Sequence, residues 1–407
     1  MGYYQNTRTR RSSGPRNNFR RSGTATYTRG GGRKKGPAKQ YIHPSKFVKR
    51  AKPVEVTEYI PTRSFSDFEL NDLLKNNLEN NGYMTPSAIQ DDAIAPALEG
   101  KDIVGIANTG TGKTAAFGLP ILNKLITERG HRALIMAPTR ELAQQIENEL
   151  KSLGKGSGLL GAVLIGGAPM RPQLDDLRNN PDIIIGTPGR IKDHLERGSL
   201  DISSVNLIAL DEVDRMLDMG FVHDMRQILK LANPVRQSFF FSATLDVSVR
   251  QLISEFSKEP VEIRVKTGET SDNVEQDIIP YAAIDNKVDI LHDLLIKDIA
   301  TKAIIFEDTQ RGVEKLHIEL KSRGFKTDSI HGAKSQGQRQ RALKSFINND
   351  VSILVATDVA ARGIDVSDVT MVINYSTPQT YSDYIHRIGR TGRAGKTGLA
   401  FTFVESK

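Results

Sequence analysis

Three short stretches carry side chains whose types and spacing can do phosphate chemistry. The first, IANTGTGKTAAF, follows an apolar run and leads into residues that favour a helix. Gly110 and Gly112 let the backbone of Asn108, Thr109 and Thr111 curl around phosphate oxygens, and a helix N-terminus adds favourable potential. Lys113 is then placed to reach the β- and γ-phosphates, and the Thr114 hydroxyl to hold Mg2+. Ala107 stands where such loops usually begin with glycine, so a simple glycine-rich turn is the competing reading. The second stretch, LIALDEVDRML, crowds Asp211, Glu212 and Asp214 onto the end of an apolar run, although charge is costly beside a core. An acid in that position can hold the Mg2+ of a phosphate loop, here Asp211 through water, and Glu212 can position or deprotonate an attacking water. Val213 has no chemical duty there and is expected to affect packing at most. The bland alternative is a solvated strand end.

The third stretch, HRIGRTGRAG, repeats arginine at every third position, Arg387, Arg390 and Arg393, which would align them on one helical face. A surface salt-bridge stripe has the same spacing. Gly389 and Gly392 suit a helix interior poorly and favour close approach to a ligand. Arginine reaching a γ-phosphate across a cleft stabilises transition-state charge by a factor of about 10³–10⁵.

Such groups need a scaffold that holds them at one edge. From about residue 58 the chain alternates short β-branched runs with helical stretches: DIVGIA, ALIMAP, GAVLIGG, DIIIGTP, NLIALDE, SFFFSAT and VEIRV, then AIIFEDT, TDSIHG, SILVATD, MVINYS and GLAFTFV. Between them, ELAQQIENELKSL places Leu142, Ile146, Leu150 and Leu153 on one helical face. That alternation predicts parallel sheets covered on both faces, with ligands beyond the carboxyl ends of the strands. The polar stretch around 266–280 reads as a linker between an α/β domain over 58–265 and a second over 281–407.

Composition sets the outer bounds. The 407 residues hold 56 Lys and Arg against 48 Asp and Glu, but 15 of the basic residues and none of the acids fall in residues 1–52. Residues 1–57 therefore read as a disordered basic tail rich in Arg and Gly. Tyr3, Tyr4, Phe19 and Tyr27, set among its arginines, suit auxiliary nucleic-acid binding, with a solubilising tail and a transit peptide as alternatives. No apolar run approaches the roughly 20 residues that span a bilayer. Cysteine is absent, which excludes disulfide frameworks and thiolate zinc sites and fits a reducing compartment.

From about residue 65 to 404 the chain resembles the DEAD-box RNA helicases of superfamily 2, with their motifs in the family's order. GYMTPSAIQ (82–90) is similar to the adenine-recognising Q motif; the resemblance implies that Gln90 bonds the adenine edge, that Phe65 stacks on the ring, and that Tyr83 and Pro86 line the site. PTRELA (Pro138, Thr139, Arg140), the pair Gly166 and Gly167, and TPGR (Thr187, Arg190) resemble RNA-contacting motifs of the first domain. In the second, HGAKSQGQR supplies His331, Gly332, Gln336 and Arg339, and ATDVAARGID supplies Thr357 for RNA with Gly363 and Asp365 for the nucleotide. Asp214, Ser242 and Thr244 of SAT, His386 and Arg393 would couple hydrolysis to strand separation, while Arg387 and Arg390 would hold the γ-phosphate. The resemblance thus implies two RecA-like domains, each a mainly parallel sheet flanked by helices, using ATP and Mg2+. It implies a monomeric core, a cytoplasmic setting, and RNA gripped mainly by its sugar-phosphate backbone. Departures are a DEVD box, acids Glu307 and Asp308 in IIFEDT, and Ser376 and Ser382 where acids are common. A DNA helicase and an RNA clamp with a vestigial ATP site are the rival readings.

Overall fold

The computed structural model describes residues 41–51, 59–108, 110–265, 272–283, 286–297, 301–361, 366, 368–392 and 396–406. The expectations for Thr109, Gly363, Asp365, Arg393 and residues 1–40 lie outside the described residues. In the first domain, β1 (Ile103–Ile106), β2 (Ala133–Met136), β3 (Gly161–Leu164), β4 (Ile183–Gly186), β5 (Leu207–Leu210), β6 (Gln237–Ser242) and β7 (Val261–Arg264) form one sheet in the order β3-β4-β2-β5-β6-β1-β7. Every pairing is parallel. The run Phe239-Phe240-Phe241 shows why both faces must be covered. Successive strand residues point to opposite faces; Phe239 and Phe241 enter one core with Ile89 and Phe117, and Phe240 enters the other with Val104 and Met216. Parallel strands leave all their carboxyl ends on one edge, so Ala107, Pro138, Gly166, Thr187, Asp211 and Thr244 emerge close together.

The second domain repeats the arrangement. Its strands β8 (Val274–Tyr281), β9 (Ala303–Phe306), β10 (Thr327–Ile330), β11 (Ile353–Ala356), β12 (Met371–Asn374) and β13 (Gly398–Glu405) pair in parallel in the order β10-β11-β9-β12-β13-β8. Two parallel sheets flanked by helices are what the alternation predicts.

Two boundaries are corrected. The stretch 266–280, expected as a linker, contains most of β8, which pairs with β13 along eight residues, Val274 opposite Gly398 to Tyr281 opposite Glu405. As an edge strand, β8 is only partly buried and tolerates Pro280, so its apolar signal is diluted by Glu275, Gln276 and Asp277. Nor is the whole of 1–57 tail. Residues 41–51 lie on the second domain: Phe47 is buried among Val274, Tyr384, Ile388 and Ala400, and Lys49 forms an antiparallel bridge with Gln276. Burying one phenylalanine contributes about 1.5–3 kcal/mol, while ordering each backbone residue costs about 1–2 kcal/mol. The segment therefore also needs its polar contacts, from Lys49 Nζ to Asp272 at 2.6 Å and from the Ala51 amide to Glu275 at 2.8 Å.

The two domains meet at their site edges. Arg339 of the second domain donates from Nη2 to Glu141 Oε2 of the first at 2.7 Å, with both side chains almost wholly buried.

Candidate functional site

The phosphate loop runs from β1 into the helix Lys113–Thr127, whose N-cap is Gly112 in the left-handed region at φ +87°. A Cβ there would displace the Gln90 amide, the movable end of its side chain, so it is the backbone conformation that requires glycine. Ser87 Oγ donates to the Thr111 carbonyl at 2.7 Å, and Thr111 Oγ1 to the Asn108 carbonyl at 2.8 Å. Gln90 braces the same loop: its Nε2 donates to the Gly112 carbonyl at 3.0 Å and its Oε1 accepts from the Ser87 amide at 2.9 Å. One N–H and one oxygen lone pair of that amide remain, which is the pair an adenine N7 and N6 demand. Phe65 packs at 6.1 Å edge-to-face with Tyr83, whose hydroxyl donates to Glu149 at 3.0 Å, and Pro86 is buried nearby in sequence.

Lys113 Nζ donates to the Ala107 carbonyl at 3.1 Å and stands 3.7 Å from Asp211 Oδ1. Burial pushes the Asp211 carboxyl up to about 6; Lys113 opposes this, and the negative charge of Glu212 and Asp214 reinforces it. A desolvated carboxylate so incompletely compensated gains from a nearby cation. With the Thr114 hydroxyl in the helix's first turn, the donors are all hard oxygens, which fits Mg2+. Among the described residues no group of three His, Asp or Glu forms a protein cage, as suits an ion that keeps waters and phosphate oxygens as ligands. Glu212 is 3 % exposed and adopts φ 51°, ψ 53°, rare for a residue with a side chain and costing about 1–3 kcal/mol. Val213 is fully buried in the apolar cluster of Leu210 and Met216. Asp214 Oδ2 accepts from both the amide and the hydroxyl of Thr244 at 3.1 Å, and Ser242 Oγ accepts from the Asp214 amide at 3.3 Å. The box and SAT thus form one hydrogen-bonded unit across β5 and β6.

The arginines are not arranged as their spacing suggests. The helix Tyr381–Ile388 ends before Gly389, so Arg387 lies in it while Arg390 follows in a turn. Arg387 is committed to its own domain. Its Nε and Nη2 bind Asp358 at 2.6 and 2.7 Å, Nη2 also reaches Asp308 at 3.2 Å, and Nη1 donates to the Ser376 carbonyl at 2.6 Å. Its guanidinium lies over the Phe306 ring at 5.2 Å. The structure therefore does not present Arg387 to a γ-phosphate; its fork is filled by carboxylates that spacing along the sequence could not reveal. Arg390 and His386 line a narrow pocket together with Arg387, its partner Asp358, and Arg215, the residue following the box in the first domain.

A cleft of about 360 Å3 gathers residues of both domains, among them Pro138, Thr139, Arg140, Gly166, Thr187, Arg190, Gly332 and Arg339. The Arg140 guanidinium lies so close to Gly167 that a Cβ there would collide with it. Burial lowers the pKa of Arg140, and the charge of Arg339 lowers it further; at Arg190 burial acts first, Asp193 opposes it, and Arg140 adds to it. Positive charge is thus crowded against positive charge, as in a site built for an anion. Beside it, Gln336 is buried with neither amide atom hydrogen-bonded. Thr357 is buried at the end of β11, and His331 Nε2 lies 3.0 Å from Glu314.

Sequence reasoning missed several supporting groups. Asp91, fully buried, accepts from Tyr59 at 2.7 Å, from the Thr62 amide at 2.6 Å and hydroxyl at 2.9 Å, and from Arg63 at 3.2 Å. It thereby fastens the segment leading to Phe65. Glu307, unexplained in the sequence, accepts from the Ser376 hydroxyl, and Asp308 accepts from Arg387. Their signal was only an acid at the carboxyl end of a buried strand.

Residues 87–252 match the DEAD/DEAH box helicase family, and residues 286–395 match the helicase conserved C-terminal domain. Over 342 residues the chain is 43 % identical to the ATP-dependent RNA helicase CshA of Limosilactobacillus reuteri, covering 84 % of this chain and 69 % of that one. S. cerevisiae Dbp5 bound to RNA and ADP BeF3 is 29 % identical with a TM-score of 0.74, covering 85 % of this chain and 90 % of its own. Mss116p lacking its NTE and C-tail, bound to ssRNA and AMP-PNP, is 31 % identical with the same TM-score, covering 83 % and 73 %. Likeness on this scale, spread over both domains and both walls of the cleft, places the chain in the DEAD-box family of ATP-dependent RNA helicases.

Proposed function

We propose that this helicase works by closing its two domains on ATP and a single RNA strand together, so that each ligand favours binding of the other. The crowded arginines of a cleft shared by both domains, Arg140, Arg190 and Arg339, are the observation that carries the reading. When bound, Mg2+ would be held by Thr114 and, through water, Asp211, and would neutralise charge on the β- and γ-phosphates. The Lys113 ammonium stabilises negative charge on the same phosphates. The Glu212 carboxylate accepts a proton from the water that attacks the γ-phosphorus. Arg390, beside Arg215 at the domain boundary, faces the transferring phosphoryl group. Arg387 holds the helix and the strand ends in place behind it. Asp214 passes the state of the nucleotide site to SAT through Thr244.

The strand is gripped mainly at its backbone, so little sequence preference is expected, and a duplex unable to follow the bent strand opens locally. Valine in the box leaves these roles intact because its side chain faces the core. The core acts as a monomer in the cytoplasm, and the basic residues 1–39 add backbone affinity.

Steady-state ATP hydrolysis with RNA and with DNA of identical sequence tests the reading. Stimulation by RNA alone supports it. Equal stimulation by DNA would redirect it to a DNA translocase, and RNA binding without hydrolysis to a clamp.

A further inference from the structure

The helix Tyr381–Ile388 has two buried faces. Arg387 points to the carboxylates of its own domain, whereas Tyr384 and Ile388 point the other way, into a small cluster completed by Val274, Ala400 and Phe47. Phe47 comes from the opposite end of the sequence. It is 1 % exposed, and its ring lies 4.7 Å from that of Tyr384, centroid to centroid, at 60°. The Tyr384 hydroxyl donates to Gln276 at 2.9 Å, and Gln276 is the residue that Lys49 bridges, with backbone bonds of 3.0 and 2.8 Å in the two directions. The turn after the helix rests on the same support. Gly392, at φ +69°, is packed so tightly that a Cβ would lie 2.7 Å from Val274 Cγ2 and 3.3 Å from the Asn273 carbonyl.

Arg390 therefore sits between two contacts, the Tyr384–Ile388 face before it and Gly392 after it, and both are built on the beginning of β8. That strand is at the edge of its sheet, with β13 on one side only. On its other side the N-terminal segment supplies the Lys49 bridge, the Lys49–Asp272 ion pair and the Ala51–Glu275 bond. A helix of eight residues is marginal without packing, so its orientation follows whatever holds its apolar side.

From this geometry we infer that residues 41–51 are a working part of the second domain, and that Phe47 and Tyr384 are positioning residues that hold the helix Tyr381–Ile388 and the following turn so that Arg390 meets the nucleotide. The inference rests on the role proposed above for Arg390. Phe47 touches no substrate; it acts through the helix. ATP in its ground state is gripped chiefly by the first domain, so loosening this helix should slow hydrolysis without weakening ATP binding.

The test compares kcat and KM for ATP at saturating RNA in the unaltered full chain, F47A and F47L. Small misplacements near reacting atoms cost up to about 10² in rate, and F47A is expected to lower kcat by about tenfold, with KM shifted less than about twofold. F47L, which refills most of the cluster, should restore most of the rate. Because the chain has no tryptophan, F47W provides a single fluorophore whose iodide quenching reports docking directly; a shielded indole is expected. Full activity of F47A, a parallel collapse of kcat and KM that F47L fails to rescue, or a solvent-exposed indole in F47W would each overturn the inference. Absence of RNA-stimulated hydrolysis in the unaltered chain would overturn the functional reading and this inference with it, whereas a normal F47A beside an active parent would overturn this inference alone.

Discussion

Glu141→Gln removes one charge from the ion pair that joins the domains while keeping the side chain's shape. Glu141 and Arg339 are 3 % and 6 % exposed at their side chains and bond at 2.7 Å. Removing one partner of a buried pair leaves an uncompensated charge, at a cost of about 3–5 kcal/mol. The lower end applies here, because Glu141 Oε1 and Arg339 Nε have no hydrogen-bond partner and the pair is not fully satisfied. Burial raises the Glu141 pKa despite the opposing charge of Arg339, which agrees with incomplete compensation. About 3 kcal/mol corresponds to roughly 150-fold in an equilibrium constant. The contact exists only where the domains meet, so this loss should fall on the closed state. Binding of a fluorescent single-stranded RNA, measured with a non-hydrolysable ATP analogue and without nucleotide, separates the two states. With the analogue, E141Q should weaken Kd by about 100-fold; without nucleotide the change should stay within about threefold. Equal weakening in both conditions, or no weakening with the analogue, would refute the reasoning.

Other expectations follow from single side chains. Arg387→Ala should destabilise the fold by about 3 kcal/mol, the lower end because solvent partly screens Asp308 and Asp358. Arg390→Ala, at a buried position, should lower kcat by about 10³ or more in protein that stays folded at the assay temperature; thermal melts and steady-state rates separate the two effects. Asp91→Asn should loosen the segment carrying Phe65 and raise KM for ATP. Burial works to raise the Asp91 pKa, but hydrogen bonds from Tyr59, Thr62 and Arg63 outweigh it and hold it below its usual value. Its contribution to stability is therefore complete above the unfolded value of about 3.9 and is lost as pH falls through the lower folded value. Urea melts from pH 6 downward should show an acid loss that is smaller in D91N. Val213→Ala removes two buried methyl groups, about 1.6 kcal/mol at 0.8 per group, and should leave kcat within about twofold; a large rate change would mean the box tolerates valine for a reason other than packing.

Much of the fold is legible because a strand in a doubly covered parallel sheet must be apolar throughout. Runs such as ALIM and IIIG announce themselves, and the polar residues that follow them mark the site edge. The same logic hides β8, whose edge position permits Glu275, Asp277 and Pro280. Phe47 was hidden differently: one aromatic in a basic stretch carries no periodicity, and its meaning depends on Tyr384 at the other end of the chain. Arg387 misled because spacing along a helix says which side chains share a face but not which carboxylates wait there. Asp358 and Asp308 come from the ends of different strands, and only the folded sheet brings them to one guanidinium. The phosphate loop and the box, by contrast, are local in sequence and could be read in place.

The most direct measurement is ATP hydrolysis with and without single-stranded RNA, in the unaltered chain and in Glu212→Gln. The account predicts strong RNA stimulation in the first and its disappearance in the second, with RNA binding retained in the presence of ATP. Undiminished hydrolysis in E212Q would contradict the assignment of Glu212 as the group that accepts the proton of water, and no hydrolysis in either protein would contradict the enzyme reading itself.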